Sequence, residues 1–257
     1  MIESNPYTGQ EQTSVKHFVL RNYLQKLTYK VGWDGGTINY VDGFAGPWRS
    51  SDKDFRDTSP LIAIDQFRNV RDDLQQLHRP HLTIRCLFVE KDSIAADTLK
   101  SILVGFDDFE SEVLIGEFES RIEDVLQFLR MCRRPFGFLF IDPTGWTGFG
   151  MRAITPLLRH SPGEVLINFM TKDIIRFIDD SRSSIRSTFE DLFGTTDHRD
   201  YWAGLNGQLR EDAIVAAYVD RVRTVGGFDY VASSVIANPT LDRTHYHLIY
   251  ASRVSSQ

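Results

Sequence analysis

The chain has 257 residues, of which 42% are hydrophobic and 25% are charged. These values are typical of an ordinary folded protein and exclude a disordered or fibrous chain. The length is enough to bury the core of one α/β domain, and the net charge of −6 gives no overall attraction for nucleic acid, although a local basic patch can still bind it.

Cysteine content and apolar runs limit the compartment. Cys86 and Cys132 are too few for a disulfide framework or a zinc site, so we expect two free thiols. No apolar run approaches the roughly 20 residues that a membrane span needs. Residues 1–12 also lack the apolar stretch of a signal peptide. We therefore expect a cytoplasmic protein with no membrane partner.

The first two thirds of the chain alternate between helical and strand-like patterns. Helical spacing predicts a first helix over residues 13–30, and the residues expected on its buried face are Val15, Phe18, Val19, Tyr23, Leu24 and Leu27. Strands are predicted at 38–41, 82–89, 112–115, 138–141 and 164–168, and helices at 59–77, 93–104, 122–130 and 151–158. This alternation predicts an α/β fold with a mostly parallel sheet, right-handed crossovers and helices on both faces.

The last third is predicted to begin with helices and to end in a strand pair. Residues 173–193 and 210–225 have helical patterns, and 230–236 and 245–251 alternate like strands that close the sheet as an antiparallel pair. We find no linker or internal repeat. We therefore expect one domain over 1–257, with an N-terminal helix at 13–30, a cofactor and acceptor core at 38–170, and a helical insertion with closing strands at 171–257.

Two predicted strands end at an aspartate that is followed by a sharp turn. The first turn is Asp42-Gly43-Phe44-Ala45-Gly46-Pro47 and the second is Asp142-Pro143-Thr144-Gly145-Trp146. Ligands of open α/β sheets bind at the carboxyl ends of the strands. We therefore expect one shared site, with a cofactor at the first turn and the chemistry at the second.

The first turn lacks the glycine pattern of a dinucleotide site and the Lys-Ser/Thr of a phosphate-binding loop. That favours a cofactor without phosphates, and S-adenosylmethionine fits because its amino-acid end needs a turn and an acid. The residues expected at this end of the cofactor are Asp42, Gly43, Phe44, Gly46 and Pro47. The alternative is a turn shaped only for packing.

Two further strand ends carry acids suited to a nucleoside. Glu90, followed by Lys91, ends the second strand, where a carboxylate can accept hydrogen bonds from ribose hydroxyls. Glu117 follows the third strand and can accept from an adenine amine, while Phe118 covers the ring. Glu119 competes with Glu117 for this role. The alternative for each acid is a solvated loop residue.

The second turn provides the predicted catalytic residues Asp142, Pro143, Thr144 and Trp146. Asp142 and a backbone carbonyl can hold the two N–H groups of an acceptor amine, and Pro143 stiffens the turn. Trp146 can stack on a planar substrate. Holding the amine in line with the methyl group then supplies much of the rate. The alternative is that Trp146 is ordinary core and Asp142 caps a helix.

Weaker candidates lie in three other places. Lys16-His17 lies on the first helix, and Asn168 ends the fifth strand, from which it can reach the acceptor pocket. Four basic residues after that strand either track phosphates or form a solvated helix face: Lys172, Arg176, Arg182 and Arg186. Asp242, His245 and His247 are too few for us to predict a metal.

These motifs, in this order, resemble the three-Cys-motif partner proteins. The segments that carry the resemblance are Asp42-Gly43-Phe44-Ala45-Gly46-Pro47, Val89-Glu90, Gly116-Glu117-Phe118, Phe140-Ile141-Asp142-Pro143-Thr144-Gly145-Trp146 and Val165-Leu166-Ile167-Asn168-Phe169-Met170. The resemblance covers most of residues 13–251. It implies a Rossmann-like class I methyltransferase fold that uses S-adenosylmethionine, and a partner protein with three cysteines that looks like a radical S-adenosylmethionine enzyme, in a phage-related or defence setting.

The resemblance also assigns places in the site. It puts Asp42 and Gly46 near the methionine end, Glu90 on the ribose, Glu117 near the adenine and Asp142 at the acceptor. Two positions depart from the family pattern: Trp48 replaces the last glycine of the first turn, and Thr144 replaces a proline or aromatic residue. We find no helical extension after Tyr250, so we expect substrate recognition to be missing or to come from a partner chain.

The sequence thus predicts a methyltransferase that acts on a nitrogen of a nucleic-acid or nucleotide-like substrate. The alternative is a non-catalytic protein that keeps the fold as a docking surface for another enzyme. A nicotinamide-dependent oxidoreductase is disfavoured because the glycine-rich phosphate turn is missing.

Overall fold

A computed structural model of the chain describes residues 11–46, 55–106, 108–132, 135–237 and 244–253. Within these described segments, seven strands form one sheet: β1 (Gly36–Asp42), β2 (Leu82–Glu90), β3 (Glu110–Ile115), β4 (Phe136–Ile141), β5 (Gly163–Phe169), β6 (Tyr230–Ala237) and β7 (Thr244–Ser252). Their order is β3-β2-β1-β4-β5-β7-β6. The first five strands run parallel, and β7 pairs antiparallel with both β5 and β6.

Helices cover both faces of this sheet. They are α1 (Glu11–Gly32), α2 (Ser59–Gln76), α3 (Ser93–Leu103), α4 (Ile122–Arg130), α5 (Met151–Leu158), α6 (Thr171–Phe177), α7 (Ser183–Phe193) and α8 (Gly207–Gly226). Successive strand residues point to opposite faces. Accordingly, Tyr40 packs in the layer formed with α1, α2 and α3, whereas its neighbour Val41 packs in the layer formed with α4, α5, α7 and α8. Among the described helices, none is long and apolar enough to cross a membrane.

The predicted fold class is confirmed. The sheet is mostly parallel, helices lie on both faces, and an antiparallel pair closes it, as in a Rossmann-like class I methyltransferase fold. The chain proceeds outward from β1 to β3 and then returns to β4 on the other side of β1, so a topological switch point lies between β1 and β4. Ligands of open α/β sheets bind at such a point. In the β1–β4 register Asp42 lies opposite Phe140, which places the two aspartate turns side by side.

The long helix predicted over 173–193 is wrong, because it is two helices. The α6 helix ends at Phe177 and α7 begins at Ser183. Between them, Asp180 Oδ1 accepts the backbone N–H of Arg182 at 2.9 Å. An aspartate that bonds the backbone two residues ahead closes a turn and competes with the helical hydrogen bonds.

The predicted buried face of α1 is partly wrong. Phe18 and Val15 are 64% and 42% exposed, whereas Leu20, Leu24 and Leu27 are buried. The buried leucines recur every three or four residues, so they define the face that packs on the sheet and α2. His17 and Lys16 lie one turn before Leu20, which brings the start of this face to the carboxyl edge of the strands.

Candidate functional site

Asp42, at the end of β1, is fully buried beneath the first turn. Its Oδ2 accepts the Ser59 hydroxyl at 2.6 Å, and its Oδ1 accepts the Phe44 backbone N–H at 3.1 Å. Burial raises the pKa of Asp42 to about 7, although these two hydrogen bonds act in the opposite direction. Asp42 therefore fixes the turn to the start of α2.

The first turn also bonds to both neighbouring strands. The Gly43 N–H donates to Phe140 O at 2.9 Å, and the Ala45 N–H donates to Val89 O at 3.0 Å. A Cβ on Gly43 would lie 2.9 Å from the ring of Phe118, so this close approach requires glycine. The Phe44 ring lies 5.6 Å from that of Phe118. The structure thus brings Gly43, Phe44 and Phe118 together.

Of the remaining residues predicted at this turn, the structure describes Gly46 but not Pro47. Gly46 is half-buried at the end of the described segment. Pro47 and Trp48 lie outside the described residues, so the prediction for Pro47 stays a prediction.

Glu90 and Glu117 end neighbouring strands but differ in exposure. Glu90 is 2% exposed, and its Oε1 accepts the Asp92 N–H at 2.7 Å. Burial raises the pKa of Glu90. Glu117 is exposed at the start of a 3₁₀ turn, Phe118–Arg121, and the Gly116 N–H donates to Glu90 O at 2.9 Å. The backbone bond from Gly116 holds the ends of β2 and β3 together at one edge.

Glu119, the alternative to Glu117, accepts a hydrogen bond from another loop. Glu119 Oε1 accepts the Gly150 N–H at 2.5 Å, just before α5. That contact gives Glu119 a role in joining two loops, while the exposed carboxylate of Glu117 remains open to solvent. Lys91 is also exposed beside Glu90. The nucleoside contact of Glu117 stays a prediction.

Asp142 lies at the end of β4 between two polar side chains. Lys16 Nζ, from α1, lies 2.5 Å from Asp142 Oδ2. Asn168 Nδ2, from the end of β5, donates to Asp142 Oδ1 at 2.7 Å. The carboxylate is thus held from both sides by elements far apart in the chain.

Two neutral side chains lie close to this carboxylate. His17 is 6% exposed, and burial, followed by the charge of Lys16, lowers its pKa to about 3. Tyr246, on β7, is 3% exposed, and burial together with the charge of Asp142 raises its pKa. Both are therefore neutral at pH 7 and lie buried near Asp142. Tyr246 was missed in the sequence, where its strand pattern signals only packing.

The remaining residues of the second turn divide between core and surface. Pro143 is buried and Thr144 is exposed. Trp146 is half-buried, with its ring centroid 5.4 Å from that of Phe189 and 4.9 Å from that of Phe177. Its Nε1 donates to Thr188 Oγ1 at 3.0 Å. These contacts match the packing alternative for Trp146, and its stacking on a substrate stays a prediction.

Two of the four basic residues after β5 are paired with acids. Arg182 lies 2.6 Å from Asp180, and Arg186 lies 3.9 Å from Glu190. This matches the solvated-face alternative for that pair. Lys172 and Arg176 are exposed, one turn apart on α6.

No group of three metal-ligating side chains occurs in the part of the chain that the structure describes. His247 Nδ1 is 2.7 Å from Thr171 Oγ1, and Asp242 lies outside the described residues. A surface cavity of about 400 Å³ lies at α2 and the end of α3, lined in part by Leu61, Arg68 and Phe106. None of the predicted site residues lines it.

No family model and no curated protein sequence matches this chain. The three-Cys-motif partner family therefore stays a prediction from the sequence. Solved structures of methyltransferases are similar to this chain at low sequence identity. An O-methyltransferase from Bacillus cereus in complex with SAH is 12% identical, with a TM-score of 0.48, and the match covers 98% of this chain and 94% of that one.

An rRNA methylase from Streptococcus thermophilus is 11% identical, with a TM-score of 0.40 and coverage of 99% and 100%. The CMeT domain of citrinin polyketide synthase is 13% identical, with a TM-score of 0.47 and coverage of 93% of this chain and 52% of that chain. The chain therefore spans about half the length of the CMeT structure. Likenesses at this level identify neither a substrate nor an activity for this chain.

Proposed function

We propose that this protein is an S-adenosylmethionine-dependent methyltransferase that acts on a nitrogen of a nucleic-acid or nucleotide-like substrate. The observation that carries the proposal is the adjacency of the Asp42 and Asp142 turns at the switch point of the sheet. One turn is closed by a buried carboxylate and a glycine, and the other presents a carboxylate held by Lys16 and Asn168.

The side chains at the edge fit a nucleoside cofactor without phosphates. Glu90 and Glu117 are acceptors, which suit ribose hydroxyls and an adenine amine, whereas phosphates would need donors. Phe118 and Phe44 offer apolar surface beside them. Lys91 lies next to the ribose position, and Gly43 and Gly46 line the methionine end. Pro47, outside the described residues, is assigned to that end from the sequence alone. Asp42 acts through the turn, because its own oxygens are buried and bonded.

The chemistry supplied by S-adenosylmethionine, when bound, is an electrophilic methyl group. Asp142 accepts a hydrogen bond from the substrate amine and turns its lone pair toward that methyl. Pro143 and Thr144 shape the turn that carries Asp142, and Trp146 fixes the turn to α6 and α7. His17 and Tyr246 keep water from the reacting nitrogen. Alignment of this kind supplies much of the rate in methyl transfer.

Substrate and partner form the finer part of the proposal. Lys172 and Arg176 lie on one exposed face of α6, directly after β5, where they can contact substrate phosphates. A radical S-adenosylmethionine-like partner with three cysteines and a phage-related or defence setting follow from the sequence resemblance alone. The cytoplasmic location follows from the cysteine content and from the lack of an apolar span or signal peptide in the sequence.

A specific observation also favours the second candidate, a non-catalytic docking protein. Lys16 already forms an ion pair with the acceptor carboxylate, and the Trp146 ring already packs on two phenylalanines. A fold kept only for docking has no need for an accessible acceptor site. The two candidates differ in whether methyl transfer depends on Asp142.

Calorimetric titration with S-adenosylmethionine tests the proposal. We expect binding by the parent, weakening of about tenfold or more in Glu90→Gln through loss of hydrogen bonds to the charged group, and no change in the control Glu112→Gln. Glu112 is an exposed acid on neighbouring β3. Absence of binding at millimolar concentration contradicts the cofactor assignment.

A further inference from the structure

Asn168 has a buried amide in which the nitrogen forms hydrogen bonds but the oxygen has no donor among the described residues. The residue is 4% exposed, and its Nδ2 donates to Asp142 Oδ1 at 2.7 Å and lies 3.4 Å from Met170 Sδ. Its Oδ1 is buried and accepts no hydrogen bond from the residues that the structure describes. A carboxylate only accepts, so the NH₂ faces Asp142 and the oxygen takes the other position of the same planar amide.

Buried oxygens without a donor are uncommon in folded proteins, and each one requires an explanation. This one lies beside the carboxylate at the acceptor turn, and its residue comes from the adjacent strand end. It is therefore an acceptor whose donor is expected to come from a bound molecule.

Asp142 retains acceptor capacity as well. A carboxylate offers about four lone-pair directions. Lys16 uses one on Oδ2 and Asn168 uses one on Oδ1. Two acceptors, Asp142 and the Asn168 amide oxygen, thus remain on neighbouring strand ends, and a group with two hydrogens could use both of them.

We propose that Asn168 is a specificity-determining residue of the acceptor site, whose amide oxygen accepts one hydrogen of a primary amino group while Asp142 accepts the other. The inference rests on the proposed function and deepens it. A hydroxyl group has one hydrogen to donate and an N,N-dimethylated amino group of a base has none, so the pair selects an NH₂ group. With both hydrogens held, the nitrogen lone pair points out of their plane.

The transfer balances with these two residues. The nitrogen lone pair forms the N–C bond as the C–S bond of S-adenosylmethionine breaks, and the bonding electrons stay on sulfur. The methylated nitrogen then loses one proton along its hydrogen bond to Asp142, and the proton passes to solvent. Asn168 neither gains nor loses a proton.

Binding of matched nucleosides in the presence of SAH tests the inference. The probes are adenosine and cytidine, which carry an NH₂ group, and their N,N-dimethylated forms, which do not. We expect the parent to bind at least one amino nucleoside about tenfold tighter than its dimethylated form. In Asn168→Leu this ratio should fall about threefold or more, because only the hydrogen bond to Asp142 then distinguishes the two probes. Met170→Leu, which changes only the sulfur neighbour, should keep the ratio of the parent.

A purely structural role for Asn168 would weaken both members of a probe pair equally and leave the ratio unchanged, which would overturn the inference. An equal affinity of the parent for both members, or no binding of any nucleoside, would overturn it too. Asn168→Ser provides a smaller second variant in case the leucine variant fails to fold, and its ratio should also fall. Failure of the proposed function is a separate result, because then SAH itself does not bind the parent.

Discussion

Lys16 Nζ lies 2.5 Å from Asp142 Oδ2, and this ion pair fixes the first helix to the turn that ends β4. The two side chains are 14% and 13% exposed, so both charges are largely removed from water. When one member of such a pair is removed, the other is left as a buried charge without a partner. The pair therefore couples the position of α1 to the charge state of the Asp142 carboxylate.

Replacement of Lys16 by methionine should lower the free energy of unfolding by about 2–4 kcal/mol, because Asp142 loses its counter-charge. Lys26→Met, at an exposed position of the same helix, should change it by less than about 0.5 kcal/mol. Denaturant unfolding measures both. In a double-mutant cycle with Asp142→Asn the two effects should be strongly non-additive, and simple additivity would refute the coupling.

The buried carboxyl of Asp42 should make stability depend on pH. Its pKa is raised from 3.8 to about 7 in the folded protein, so the folded state holds a proton that the unfolded state has lost between these values. Stability should therefore fall as the pH rises from about 4 to about 7. The difference in unfolding free energy between the parent and Asp42→Asn isolates this contribution.

As the pH rises through this window, the parent should lose stability relative to Asp42→Asn. Above about pH 7 the difference between the two proteins should stay constant. Parallel pH curves for the two proteins would show that Asp42 is not buried as described. Ser59→Ala removes a hydrogen bond that favours the ionised form, so it should move the midpoint of the difference to higher pH.

The first turn should not tolerate a side chain at Gly43. A Cβ there lies 2.9 to 3.1 Å from three atoms of the Phe118 ring. Gly43→Ala should cost about 1–3 kcal/mol of stability and weaken cofactor binding, because Phe118 must move. Gly145→Ala is the matched control, since its Cβ meets nothing within 4 Å. Equal effects of the two changes, measured by thermal unfolding, would contradict the packing of Phe118 on the turn.

Trp146 should contribute to stability through its indole N–H as well as its ring. Trp146→Phe and Thr188→Val each remove the same 3.0 Å hydrogen bond. Each should lower the free energy of unfolding by about 0.5–1.5 kcal/mol, and the double variant should cost little more than the larger of the two. Fully additive losses, measured by denaturant unfolding, would show that the bond is not formed.

The strands and their terminal acids could be predicted because their signals are local. A short apolar run closed by Asp42, Glu90 or Asp142 is visible in any window of ten residues, and a parallel sheet brings such ends together. The same reasoning placed Asn168 near the acceptor turn, where it donates to Asp142.

The features that the sequence did not predict depend on contacts between elements that are far apart in the chain. Lys16 and Asp142 are 126 positions apart, and their pairing follows from the face on which α1 packs. That face could not be chosen from apolar spacing alone, because Phe18 is apolar yet 64% exposed. The packing of Trp146 likewise depends on Phe177 and Phe189, whose positions follow from the break between α6 and α7.

Transfer of labelled methyl from S-adenosylmethionine to cellular nucleic acid tests the central claim most directly. We expect the parent to label an amino nitrogen of a base, and Asp142→Asn to lower the rate by about 100-fold while S-adenosylmethionine still binds. A parent protein that binds S-adenosylmethionine but labels nothing, or an Asp142→Asn variant as fast as the parent, would contradict the account.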